Sequence, residues 1–221
     1  MKKGMALALG MLAGWLPLAA GAGRPCLTED PNPVVENQWE LYLAGRAEQV
    51  APGWQGARAE LEANCGALRG VDLELRVGGA GTDFEGRSIQ YGLGDTRVGV
   101  KYQFVDETAG TPQVATFVLS EIPTGNEALG LGEGEVRVFL PVWVRKIIGR
   151  WTTYGGGGYW FHAKDQNQNH WFLGWVGEYQ AWDTFALGAE ITFTSSRGGA
   201  GSDPRWNAGA VWNLTPLQRI M

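Results

Sequence analysis

Histidine and cysteine are scarce in this chain, two of each, and the scarcity removes whole classes of chemistry. His162 and His170 supply at most two imidazoles, and no cysteine or carboxylate cluster stands near them at zinc spacing, so no metal site is expected. Basic residues are also few, with 18 Lys and Arg against 23 Asp and Glu and a formal net charge of −5. Removing Lys2 and Lys3 lowers this to −7 (−5 − 2), which leaves no basic footprint for a nucleic-acid partner. Long apolar runs are missing beyond Ala20. No later segment approaches the roughly 18 uninterrupted apolar residues of a membrane helix. Any membrane-spanning structure must therefore satisfy its backbone between strands, as a closed barrel.

The first residues carry a different signal. Lys2 and Lys3 precede an apolar stretch from Met5 to Ala20, followed by the small-residue pattern Ala20-Gly21-Ala22. These are the three zones of a secretory signal peptide, expected as a helix over residues 1–22, with one domain over 23–221. The stretch is broken by Pro17 and is short for a span of roughly 20 residues. Export places Cys26 and Cys65 in an oxidising compartment, where they either pair as a disulfide or remain as two thiols. Gly23-Arg24-Pro25 before Cys26 is too bulky and cyclic for a lipidation site.

Along the mature chain the hydrophobic period is two. Val98, Val100, Tyr102 and Phe104 alternate with Arg97, Gly99, Lys101 and Gln103, as in a strand between two different environments. Val136, Val138, Leu140, Val142 and Val144 share one face, while Glu135, Arg137 and Arg145 lie on the other with Phe139 and Trp143. Phe185, Leu187, Ala189, Ile191 and Phe193 alternate with a small, hydroxyl-rich face. Similar patterns around Trp39, Val71, Val114, Arg150, Trp171 and Trp206 bring the expectation to about 9 strands, most near the roughly 9 to 11 residues of a tilted membrane strand. Recurrent Gly and β-branched residues argue against helix; residues 56–67, rich in Ala and Leu, read as a long loop or one short helix. Trp39, Trp143, Trp151, Trp160, Trp171, Trp182, Trp206 and Trp212 fall near strand ends, as girdles at two membrane interfaces require.

Several longer strings carry a family resemblance: CLTEDPNPVVENQWELYLAG, VDLELRV, GLGDTRVGVKYQFVDE, EIPTGNEALGLGEGEVRVFLPVWVRK, GRWTTYGGGGYWFH, NHWFLGWVGEYQ and LGAEITF, in this order. With them the chain resembles the outer-membrane transporters named for the MetA pathway of phenol degradation, over nearly the whole mature part. The resemblance implies an exported β-barrel of roughly a dozen strands, a transport role, a preference for aromatic or apolar molecules, and no catalytic residues to carry over. Chains similar to this one run past residues 206–214 into a further closing hairpin, whereas this one stops at Met221. The expectation is therefore a barrel incomplete at its C-terminal edge.

Other motifs read as structure. Gly155 to Gly158 lacks the Lys-Ser/Thr of a phosphate cradle and is expected to mark close packing, with Trp151, Tyr154, Tyr159 and Trp160 as neighbours. The alternate glycines of 130–134 read as a turn. The two histidines read as solvated loop-edge residues, and a nucleophile pairing of His170 with Ser195 has no support from spacing. The expectation is an all-β, antiparallel transmembrane barrel with no cofactor and no enzymatic activity. It sits in the bacterial outer membrane, with lipid and small-molecule solutes as partners, and serves passive passage of small molecules. A non-conducting structural or binding barrel, or an exported soluble sandwich, is the alternative. If apolar faces meet lipid, the lumen is lined by Asp72, Glu74, Arg76, Arg97, Lys101, Gln103, Arg137, Arg145, Glu178 and Glu190. Mixed charge along a narrow interior argues against strong ion selectivity.

Overall fold

The computed structural model describes residues 6–11, 26–50, 53–82, 90–195, 202–215 and 218–220, with side chains for 26–45, 56–81, 90–195 and 202–212. Regular structure among them is β apart from two 3₁₀ turns, Glu127–Leu129 and Gln166–Gln168. The strands are β1 (Ala6–Met11), β2 (Trp39–Val50), β3 (Gly53–Leu68), β4 (Val71–Thr82), β5 (Gln90–Leu93), β6 (Thr96–Val105), β7 (Gln113–Ile122), β8 (Arg137–Ile148), β9 (Trp151–His162), β10 (His170–Trp182), β11 (Phe185–Ser195), β12 (Ser202–Thr215) and β13 (Gln218–Ile220). They form one 13-stranded antiparallel sheet in chain order. β5 and β6 share the same edge of β4, against Gly79–Thr82 and Val71–Arg76 respectively, and act as one interrupted strand.

Two expectations are corrected here. Residues 56–67 are neither loop nor helix but most of β3, paired along its length with β2 and β4. Its Ala and Leu favour helix locally, but Glu60, Glu62 and Asn64 alternate with Ala59, Leu61 and Ala63, and two ladders of inter-strand bonds outweigh a weak propensity. Of the expected leader helix, Ala6–Met11 is strand β1 instead, laid along Leu43–Glu48 of β2. An edge strand presents unpaired N–H and C=O groups that an apolar segment can satisfy. The expected cut after Ala22 lies outside the described residues. The strand number exceeds nine because β1, β3, β5 and β13 add to the periodic segments.

The distribution of side chains is inverted relative to a water-soluble core. On β4, Asp72, Glu74 and Arg76 are 2%, 5% and 4% exposed, whereas Leu73, Leu75 and Val77 are 47%, 45% and 40% exposed. The same parity holds on β6, with Lys101 buried and Val98, Val100, Tyr102 and Phe104 exposed, and on β11, with Glu190 and Thr192 buried and Leu187, Ile191 and Phe193 exposed. Soluble monomers rarely expose apolar patches beyond a few hundred Å²; here the apolar face runs across the sheet.

The charged face is concave. β4 and β11 stand six steps apart in the sheet, about 29 Å if the sheet were flat, at roughly 4.8 Å per strand. Yet two consecutive residues of the N-terminal segment reach both: Glu29 Oε1 lies 2.7 Å from Arg76 of β4, and Thr28 N donates to Glu190 of β11 at 2.6 Å. Only a sheet curled around that segment brings β4 and β11 within reach of neighbouring residues.

Candidate functional site

The concave interior has two differently furnished halves. Toward the end where β2 starts, residues 26–38 cross the interior without a strand or helix of their own. Their backbone polar groups need partners, and the wall supplies them from its side chains. The Glu190 carboxylate accepts from Leu27 N and Thr28 N at 3.0 and 2.6 Å, Asp72 accepts from Val34 N at 3.0 Å, and Gln113 Nε2 donates to Pro31 O at 3.2 Å. Ion pairs add to these: Arg76 with Glu29 at 2.7 Å and Arg145 with Asp30 at 3.4 Å. The wall is also cut to the segment's shape. A Cβ on Gly174 would collide with Thr28 Oγ1, and one on Gly66 with the carbonyl of Val35. Burial raises the carboxyl of Asp30, an effect that Arg145 and the Asn32 N–H only partly offset.

The other half is held by side-chain networks. Glu121 is clamped between Arg97, at 3.3 Å, and Arg137, which bonds it through both Nε and an Nη; Arg137 also pairs with Glu133 at 3.2 Å. Toward the middle, Arg76 pairs with Glu62 and Glu74, and Lys101 stands 4.0 Å from Asp72 and 5.5 Å from the Phe117 ring centroid. Between the networks, β7, β8 and β10 turn Phe117, Leu119, Phe139, Trp143 and Phe172 inward, with Trp160 of β9 stacked on Phe139 at 4.8 Å. Arg137 lies over the Trp160 ring at 5.4 Å. Beyond, the connection 123–136 folds back over the wall. Asp95 accepts from Gly125 N and Glu133 N, and the buried Leu131 sits against Gly92.

All ten residues expected on the lumen face lie on this concave side. Asp72, Glu74, Arg76, Lys101, Arg137 and Glu190 are buried, and Arg97, Gln103, Arg145 and Glu178 are half-buried. Glu178 and Glu190 border a cavity of about 310 Å³, and most of the ten are engaged by other side chains or by the N-terminal segment. Asp72, Arg76, Arg145 and Glu190 hold the N-terminal segment; Arg97 and Arg137 pair with Glu121; Gln103 bonds Asp106 at 2.7 Å and Gln113; Glu178 accepts from Tyr154 at 3.3 Å. Sequence periodicity had no access to the two features that fill the interior. The inward aromatic cluster was visible only as Phe139 and Trp143 on a mixed face, and the segment 26–38 carried no periodic signal at all.

Several side chains stand elsewhere than expected. Cys26 and Cys65 are free thiols: Cys26 faces the interior near Tyr154, Glu178 and Glu190, while Cys65 lies across from Trp39 and Leu73 on the outward face, so the wall separates them. Burial, reinforced by Glu190 and Glu178, pushes the Cys26 thiol up to about 12. His162 and His170 are buried rather than solvated, 5.5 Å apart between ring centroids. His162 Nδ1 pairs with Glu135 at 2.8 Å and His170 Nδ1 with Gln168 O at 2.9 Å. Ser195 Oγ accepts from Trp171 N at 2.9 Å. Trp143 is fully buried in the inner cluster and Trp160 packs against that cluster, so neither stands in a girdle. The glycine run sits in β9 as close packing predicts, but its large neighbours are Trp175 and Leu173 of β10 and Trp143 of β8, with the backbone of Leu140 to Val142 equally close. Gly130 and Gly134, both at positive φ, mark the turn expected at 130–134. Among the described residues no three metal-ligating side chains cluster.

Fold and interior together define a class: an all-antiparallel sheet curled around paired charges and an internal segment, with its apolar side chains outward. Residues 53–220 match the family model described as "Putative MetA-pathway of phenol degradation", and the chain belongs to that family. No curated protein matches it.

Proposed function

We propose that the protein is an outer-membrane β-barrel giving small molecules passive passage through a narrow interior, and that it is not an enzyme. The observation that carries this reading is the inverted side-chain distribution, because charged groups buried inward and an apolar belt outward suit a wall with lipid outside. The topology supports closure. Without the leader strand β1 and the short β13, and with β5 and β6 counted as one, ten strands remain. That even number makes β2 antiparallel to β12, and departure of β1 frees the Leu43–Glu48 edge of β2 for pairing with it. The connections support an orientation. At one end three connections have two residues (69–70, 149–150, 183–184) and one has seven (106–112), while at the other one has two (51–52) and the rest are longer (83–89, 123–136, 163–169, 196–201), a difference in the sense of periplasmic turns and external loops. Exposed Trp39, Trp151, Trp182 and Trp212 mark the short-turn end, where a girdle belongs. The inward aromatic cluster favours small aromatic or apolar solutes over ions.

A second reading, a non-conducting structural or binding barrel, is favoured by the occupied interior. Fractionation and swelling of liposomes with small uncharged solutes separate the two. The channel requires recovery in the outer membrane, detergent for extraction, and solute-dependent swelling. Protein released without detergent sinks the barrel, and a folded, inserted protein that never admits solute leaves the second reading.

A further inference from the structure

We propose that residues 27–35 are a displaceable plug that closes the passage, seated by charge and released without unfolding the wall. This inference rests on the channel reading above. The seat is built from Glu190, Arg76, Arg145, Gln113 and Asp72, which come from β11, β4, β8, β7 and β4. None of these bonds belongs to a strand ladder, so breaking all of them leaves the sheet intact. Each is a polar or charge-assisted bond that water can replace once the segment leaves. A bond of this kind is strong while desolvated and weak when hydrated. The apolar contribution of the segment is small, limited to Pro31 and Val34 as buried apolar side chains. Permanent cores are anchored differently, by large apolar groups such as the Phe139–Trp143 cluster across the interior.

The segment also has a hinge. Asn37 has φ 61°, and the turn around it is fixed by Asn37 N to Gly66 O at 2.8 Å and Gln38 N to Val35 O at 3.0 Å. Two residues after Asn37, Trp39 opens β2. Motion at this turn swings 27–35 out of the interior at the short-turn end while the chain stays tethered to the wall. Gly174 and Gly66 are the positions where wall and segment meet without room for a side chain, which gives the seated state a defined register.

The test compares three forms of the full mature protein in planar bilayers and in liposomes containing a pentose. One lacks residues 27–35. Another carries Thr28→Cys and Gly174→Cys with Cys26→Ser, so that a disulfide locks the plug. The unmodified protein is the third. Folding and insertion of each are checked by heat-modifiable gel migration. The expected result is at least tenfold higher conductance and swelling for the deletion, and the lowest values for the oxidised lock, raised by dithiothreitol to the unmodified level or above, since a side chain at position 174 crowds residue 28 once the bond is broken. Equal conductance in the deletion and the unmodified protein overturns the plug and leaves the channel standing. No conductance in any inserted form overturns the channel, and the plug with it. If the deletion fails to fold, the lock decides alone: oxidation and reduction that leave a conducting protein unchanged refute the plug.

Discussion

Val142→Arg tests the direction of the outer face most directly. Val142 sits at the middle of the 12-residue strand β8, outward and 49% exposed, between Thr116 and Gly157 of the neighbouring strands. Twelve residues at about 3.3 Å each span roughly 40 Å along the strand, or about 30 Å across a bilayer at a tilt near 40°. Val142 then lies near the hydrocarbon midplane. In water, a half-exposed position of this kind tolerates arginine within about 0.5 kcal/mol. In lipid, arginine at the midplane costs about 2–4 kcal/mol, a shift of about 30- to 1000-fold in the folding equilibrium. Ile148→Arg, at the end of the same strand and 63% exposed, is the internal control and costs about 0–1 kcal/mol near the interface. Guanidinium unfolding in phospholipid vesicles, followed by tryptophan fluorescence, gives both values. Equal stabilities for the two variants would refute the lipid-facing belt, since a water-exposed sheet has no reason to distinguish them.

Other outcomes follow from particular side chains. Trp143→Ala removes a fully buried indole from the inner cluster and is expected to cost about 3–5 kcal/mol in the same unfolding assay; a cost below 1 kcal/mol would mean the cluster is not packed. Gly156→Ala meets both a positive φ of 150° and the carbonyl of Val142, so yield of the heat-modifiable folded form should fall sharply, while wild-type yield would contradict the close packing of β8 on β9. In a Cys65→Ser background, the Cys26 thiol at about 12 should alkylate about 10³-fold more slowly at pH 8 than an ordinary thiol of pKa near 8.5; an ordinary rate would place it outside the interior. The carboxyl of Glu135 is held low: desolvation, the largest single effect, raises it, but the hydrogen bonds from His162 and the Lys164 N–H together with further lowering contacts outweigh that. A lowered folded-state value stabilises above the ordinary carboxylate range and is lost as pH falls through the lowered one. Hydrogen-exchange protection of 163–169, corrected for intrinsic rate, should therefore drop on acidification, and Glu135→Gln should lower it already at pH 7.

Where the sequence was legible, alternation made it so. On β6, β8 and β11 the inward and outward residues could be assigned because a strand's side chains repeat every second residue, and Arg97, Lys101, Arg137, Arg145 and Glu190 all lie on the expected side. β3 was missed because Ala-rich alternation resembles an amphipathic helix when read over one short window, and only pairing with β2 and β4 resolves it. Cys26 and Cys65 could not be separated by spacing, since it takes the three-dimensional wall to put one inside and the other outside.

By itself the sequence determined the class of fold and the chemistry of its two faces, because a period of two encodes local geometry and each strand carries its own copy of the pattern. Only the tertiary structure decided what occupies the interior. Residues 26–38 have no period to read; they acquire their place from Glu190, Asp72, Arg76 and Arg145, side chains distant in sequence that meet only when the sheet curls.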